Sequence, residues 1–84
     1  MPKFMDVHSG MKNITPESLR AEHQKDLEQQ RSERDVNFVK AWADPKAGKV
    51  FCLVEAPSKE AVQRVHERAG HPAEETYELA IEQG

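Results

Sequence analysis

Four histidines and one cysteine make up the reactive inventory of this 84-residue chain: His8, His23, His66, His71 and Cys52. His66 and His71 stand on either side of Gly70, so two imidazoles flank the expected end of a helix. Across such a turn they can converge on one ion, with Glu67, Glu74 or Glu75 adding an oxygen ligand, and imidazole suits Zn, Cu and Ni. A plainer role also fits: His66 completes the stripe Val62/Val65/Ala69 near the negative end of the helix dipole, and His71 is a loop residue. Cys52 with His23 and His66 is a second set, a soft sulfur with two imidazoles between helices and sheet, or a thiol with its base. Against this, a free cysteine usually packs as a small hydrophobe, and His23 between Leu19 and Leu27 fits packing as well. Asp6 and His8 form a third set. They point to one side of a strand, where they can chelate a metal, act as acid and base, or pair with Lys40 or Glu55 across an interface.

These side chains have to be positioned by six elements. Lys3–His8 alternates Phe4/Asp6/His8 with Met5/Val7, the period of a strand. Thr15-Pro16-Glu17 starts a helix, with Thr15 as N-cap and Pro16 in the first turn, running to about residues 31–34. Its charges, among them Glu17, Arg20, Glu22, Lys25, Asp26 and Glu33, read as a solvated face without a function. Val36–Ala43 is a strand with two aromatics, Phe38 and Trp42. The turn Asp44–Lys49 leads into Val50–Glu55, the most apolar strand. Ser58 caps a second helix that Gly70 and Pro72 end. Thr76–Glu82 alternates as the last strand.

The order βαββαβ predicts an α+β, ferredoxin-like sandwich in one domain over residues 1–84: a four-stranded antiparallel sheet with both helices on one face. If the central turn pairs Asp44 with Lys49, Trp42 faces Phe51, Lys40 faces Leu53 and Ala41 faces Cys52. A one-residue slip would invert the faces. In this register Val39, Ala41, Val50, Cys52 and Val54 lie under the helices, while Phe38, Lys40, Trp42, Phe51, Leu53 and Glu55 lie opposite, joined by Phe4, Asp6 and His8. So apolar an open face predicts a second copy, giving a dimeric α+β barrel. A chain of this size buries only about 60% of its unfolded surface, so dimerisation would add stability.

Composition narrows the function classes. Twelve Lys+Arg against fifteen Asp+Glu leave a net charge of −3, and residues 70–84 hold four Glu and no Lys or Arg, which argues against a nucleic-acid partner. One cysteine rules out an intrachain disulfide framework. No apolar run is long enough to span a membrane, and no secretory leader is apparent, so the expected location is cytoplasmic. There is no phosphate loop, HExxH or EF-hand.

Several segments resemble a family of small bacterial proteins: Met1–His8, Ala41-Trp-Ala-Asp-Pro45, Val50-Phe-Cys-Leu53, Glu55-Ala-Pro-Ser58 and Arg64-Val-His-Glu-Arg-Ala-Gly-His71. The resemblance spans nearly the whole chain. Known members include an actinobacterial nickel-binding protein, and the resemblance implies a ferredoxin-like homodimer that binds Ni²⁺ on its surface for sequestration or detoxification. It supplies no ligand list; the candidates for Ni²⁺ or a similar divalent ion are His66, His71, His8 and His23, chosen from the residues themselves. This favours an ion-buffering protein over an enzyme. The alternative is a small cofactor-poor monooxygenase-like dimer whose sheet-face cavity is lined by Asp6, His8, Lys40, Trp42 and Glu55.

Overall fold

A computed structural model describes residues 1–84. The elements follow in the order β1 (Lys3–His8), α1 (Pro16–Gln29), a 3₁₀ turn (Gln30–Ser32), β2 (Asn37–Asp44), β3 (Lys49–Glu55), α2 (Lys59–Ala69) and β4 (Glu75–Glu78). The strands form one antiparallel sheet in the order β2-β3-β1-β4, and the fold is ferredoxin-like. Both helices start on capping hydroxyls: Thr15 Oγ1 accepts from the Ser18 N–H at 3.1 Å and Ser58 Oγ from the Ala61 N–H at 3.2 Å, which satisfies amides of the first turns.

Residues opposite one another in antiparallel strands share a face. The register therefore sorts the sheet into rows. On the helix side run Phe38–Val54–Phe4, Ala41–Cys52–Asp6–Thr76 and Ala43–Val50–His8. On the open side run Lys40–Leu53–Met5–Tyr77 and Trp42–Phe51–Val7–Glu75. The expected pairing of β2 with β3 across Asp44–Lys49 holds.

Two expectations about facing are corrected. Phe4, Asp6 and His8 lie under the helices, buried, not on the Trp42 face. Phe38 is also inside and Val39 outside, because a bulge between Phe38 and Lys40 shifts the register. One extra residue in β2 reverses the alternation on its far side. Two boundaries differ as well. Helix α1 gives way to a 3₁₀ turn after Gln29, and β4 ends at Glu78, with Leu79–Gly84 outside the sheet.

The core between sheet and helices gathers Phe4, Val36, Phe38, Val50, Cys52, Val54, Ala56, Ala61, Val62 and Val65. Helix α2 supplies an amphipathic face through Ala61, Val62, Val65 and His66. Helix α1 does not: its one fully buried residue is Asp26. Five of the sixteen buried residues are polar or charged. In a small chain with a lean core, that much buried polarity needs partners.

Candidate metal centre

The buried polar groups form one cluster between α1, α2 and β1. His66, wholly buried in the last turns of α2, is held from both sides. Its Nδ1 lies 3.0 Å from Asp26 Oδ1, and its Nε2 makes a short hydrogen bond to Asp6 Oδ2. Asp26 Oδ1 is also 2.7 Å from Nε2 of His71. His71 Nδ1 lies 2.7 Å from Glu22 Oε2, close enough for an ion pair but out of line for a hydrogen bond. His8 stacks edge-on to His66 with ring centroids 4.6 Å apart, and the centroids of His66 and His71 are 5.4 Å apart. Phe38 closes the inner side, edge-on to His66 at 4.9 Å.

Local folding explains why these groups meet. Gly70 adopts φ +84°, the left-handed conformation that costs any other residue a steric penalty. That turn carries the chain back so that the His71 N–H donates to the His66 carbonyl at 3.1 Å. Two imidazoles five positions apart in sequence thereby reach the same carboxylate. Asp26 presents itself from α1 because it lies one helical turn beyond Glu22, on the side that faces α2. Asp6 and His8 come from alternate positions of β1, and Cys52 stands directly across from Asp6.

The charge states follow from this geometry. Burial opposes a charge on His66, but hydrogen bonds to Asp26 and Asp6, with their negative charges, win and raise it to about 9. Burial likewise opposes the Asp26 carboxylate, yet hydrogen bonds from His66 and His71 hold it below its usual range. His8 goes the other way: burial, then the neighbouring His66, lower it, which keeps the ring neutral. Burial and the carboxylates of Asp26 and Asp6 push the Cys52 thiol up. At neutral pH His66 is thus an imidazolium against the Asp26 carboxylate, and His8 beside it is a neutral imidazole.

Two groups of ligand atoms lie within 4.8 Å of one another: Asp26 with His66 and His71, and His8 with Cys52 and His66. The donor chemistry fits a divalent transition ion, since imidazole with carboxylate or thiolate is a borderline-to-soft set. His66 and His71 meet at Asp26, and His8, expected on the far face of the sheet, lies beside them under the helices. His23 is not in either group; it is half-buried on α1 between Leu19 and Leu27. Asp26 and Glu22 are the residues that sequence reasoning missed. The signal was present: Leu19, Glu22, Asp26 and Gln30 recur at 3.6-residue spacing, so Asp26 sits within an inward stripe despite its charge.

The enzyme alternative loses its lining. Asp6 and His8 are on the opposite side of the sheet from Lys40, Trp42 and Glu55. The one pocket, about 220 Å³, lies elsewhere, among Ile14, Thr15, Pro16, Leu19, Ala43 and Pro45, and has no ionisable side chain.

Residues 4–79 match a family model described as "Nickel responsive protein SCO4226-like". The crystal structure of SCO4226 from Streptomyces coelicolor A3(2) superimposes with a TM-score of 0.92 at 53% sequence identity, covering 96% of this chain and 99% of that one. A search of curated proteins gave no match.

Proposed function

The chain belongs to the SCO4226-like family of nickel-responsive proteins, and on that premise we propose that it is a cytoplasmic homodimer that sequesters Ni²⁺, or a similar divalent ion, for detoxification. Its loading site is the trio Asp26, His66 and His71, with Glu22 at the rim and His8 alongside. The observation that carries this reading is the convergence of Asp26 Oδ1 with imidazole nitrogens of both His66 and His71, at 3.0 and 2.7 Å. In the metal-free protein these contacts are hydrogen bonds. An ion entering there replaces the shared protons with coordination bonds. His71 is the entry side: its side chain keeps 18% of its exposure, whereas His66 has none.

The homodimer is proposed for the open sheet face. Trp42 and Tyr77 remain 40% and 51% exposed there, beside the half-buried Met5, Val7, Phe51 and Leu53. The apolar side chains expected on that face from Phe4 and Phe38 are replaced by Met5, Val7 and Tyr77. Two such faces packed together form the α+β barrel, with Lys40 and Glu55 among the aromatics.

Isothermal titration with Ni²⁺ tests the site. The wild type is expected to bind, and His71→Ala, a rim variant, to lose at least tenfold in affinity. His66→Ala should lose binding at this site. Wild-type protein that does not bind Ni²⁺ would refute the function; unchanged binding in His71→Ala would remove the trio.

A further inference from the structure

We propose a second, inner metal position, in which His8, Cys52 and His66 with Asp6 hold a thiophilic divalent ion of the Zn²⁺ class through one thiolate, two imidazoles and one carboxylate. Cys52, His8 and His66 already offer ligand atoms within 4.8 Å of one another, all buried. Tetrahedral Zn²⁺ with Zn–N of about 2.0–2.1 Å and Zn–S of about 2.3 Å separates neighbouring ligands by about 3.5 Å. Closing by roughly 1.3 Å or less brings these three ligand atoms to that spacing, with Asp6 beside them on the His66 Nε2.

Two independent features point at a ligand here. His8 Nε2 and Asp6 Oδ1 are buried and have no hydrogen-bond partner. Both residues are more than nine-tenths buried, at 6% and 0% exposure. Leaving such buried atoms unpaired is costly, and a metal ion would satisfy both. Asp6 also stands opposite Cys52 in the β1–β3 register, so carboxylate and thiol project from adjacent strands into the same space.

The exchange is balanced. The entering ion displaces the thiol proton of Cys52 and the proton between His66 Nε2 and Asp6. Two protons leave, two positive charges enter, and the net charge of the buried cluster is unchanged. Without metal the thiol keeps its proton, since burial and the adjacent carboxylates disfavour the thiolate; a coordinating ion removes it. The thiolate makes this position softer than the Asp26–His71 side, and the two are served by opposite nitrogens of one ring.

Metal-free full-length protein titrated with Co²⁺ provides the test. One equivalent per chain is expected to bring up a thiolate-to-cobalt charge-transfer band, which Zn²⁺ abolishes by displacement. The band should be lost in Cys52→Ala and kept in His71→Ala. No band in the wild type, or a band that survives Cys52→Ala, overturns the inner position. X-ray absorption on the Zn²⁺-loaded wild type needs no variant: one sulfur at about 2.3 Å supports the position, and a shell of nitrogen and oxygen alone contradicts it. His71→Ala separates the two proposals, because it reports on the outer trio through Ni²⁺ affinity and leaves the sulfur band to report on the inner one.

Discussion

His66 is the residue on which the cluster turns. As an imidazolium it donates Nδ1–H to Asp26 on one side and Nε2–H to Asp6 on the other, and removing the ring would leave two buried acidic side chains facing the gap. For His66→Ala we expect a loss of about 3–5 kcal/mol, the cost of breaking a buried ion pair, read as a lower denaturant midpoint. The same protonation makes stability depend on pH. The folded-state value of about 9 exceeds that of the unfolded chain, near 6.5. This contribution is therefore complete below about pH 6.5 and is lost as pH rises through 9. It amounts to about 3 kcal/mol at most. Asp26 has the opposite sign: its lowered value gives stability above the usual carboxylate range that is lost in acid. Metal-free protein should accordingly be most stable in mildly acidic solution and weaken toward pH 9. A denaturation series showing stability unchanged from pH 6.5 to 9.5 would disprove the imidazolium.

At the scale of the elements, the Gly70 turn at the end of α2 places His71 beside His66 and Asp26. A Cβ there meets no neighbouring atom, so Gly70→Ala acts through its φ of +84° alone. Substitution should cost about 1 kcal/mol and weaken Ni²⁺ binding by displacing His71 from Asp26; unchanged affinity would show that the turn does not position the site. The elements themselves were legible in the sequence because each announces its ends: Thr15-Pro16, Ser58, Gly70 and the Asp44–Lys49 turn. The meeting of His66 and His71 was legible for the same reason. What was hidden has two physical origins. The bulge at Val39 reverses the facing of Phe38, and no residue type in Asn37–Lys40 marks it. Asp26 has the composition of a surface residue, and only partners on α2, His66 at its last turn and His71 beyond it, make its burial tolerable.

For the whole molecule, the open sheet face and the buried cluster lie on opposite sides of the sheet. The helix side of the sheet carries the buried histidine–aspartate cluster, and the other side an apolar surface centred on Trp42, Phe51 and Leu53. If that surface joins two copies, Phe51→Lys with Trp42→Glu should give a folded monomer by sedimentation, with Ni²⁺ affinity at the trio kept within a fewfold. A dimer that persists in the double variant would place the interface elsewhere. The central claim is that Ni²⁺ enters among Asp26, His66 and His71. Anomalous diffraction at the nickel edge, on crystals of the wild-type protein grown with Ni²⁺, locates the ion directly. The account predicts a peak within coordination distance, about 2.1 Å, of a His71 nitrogen and shared with His66 or Asp26. Peaks confined to other surface side chains, with the His66–Asp26–His71 hydrogen bonds intact, would contradict it.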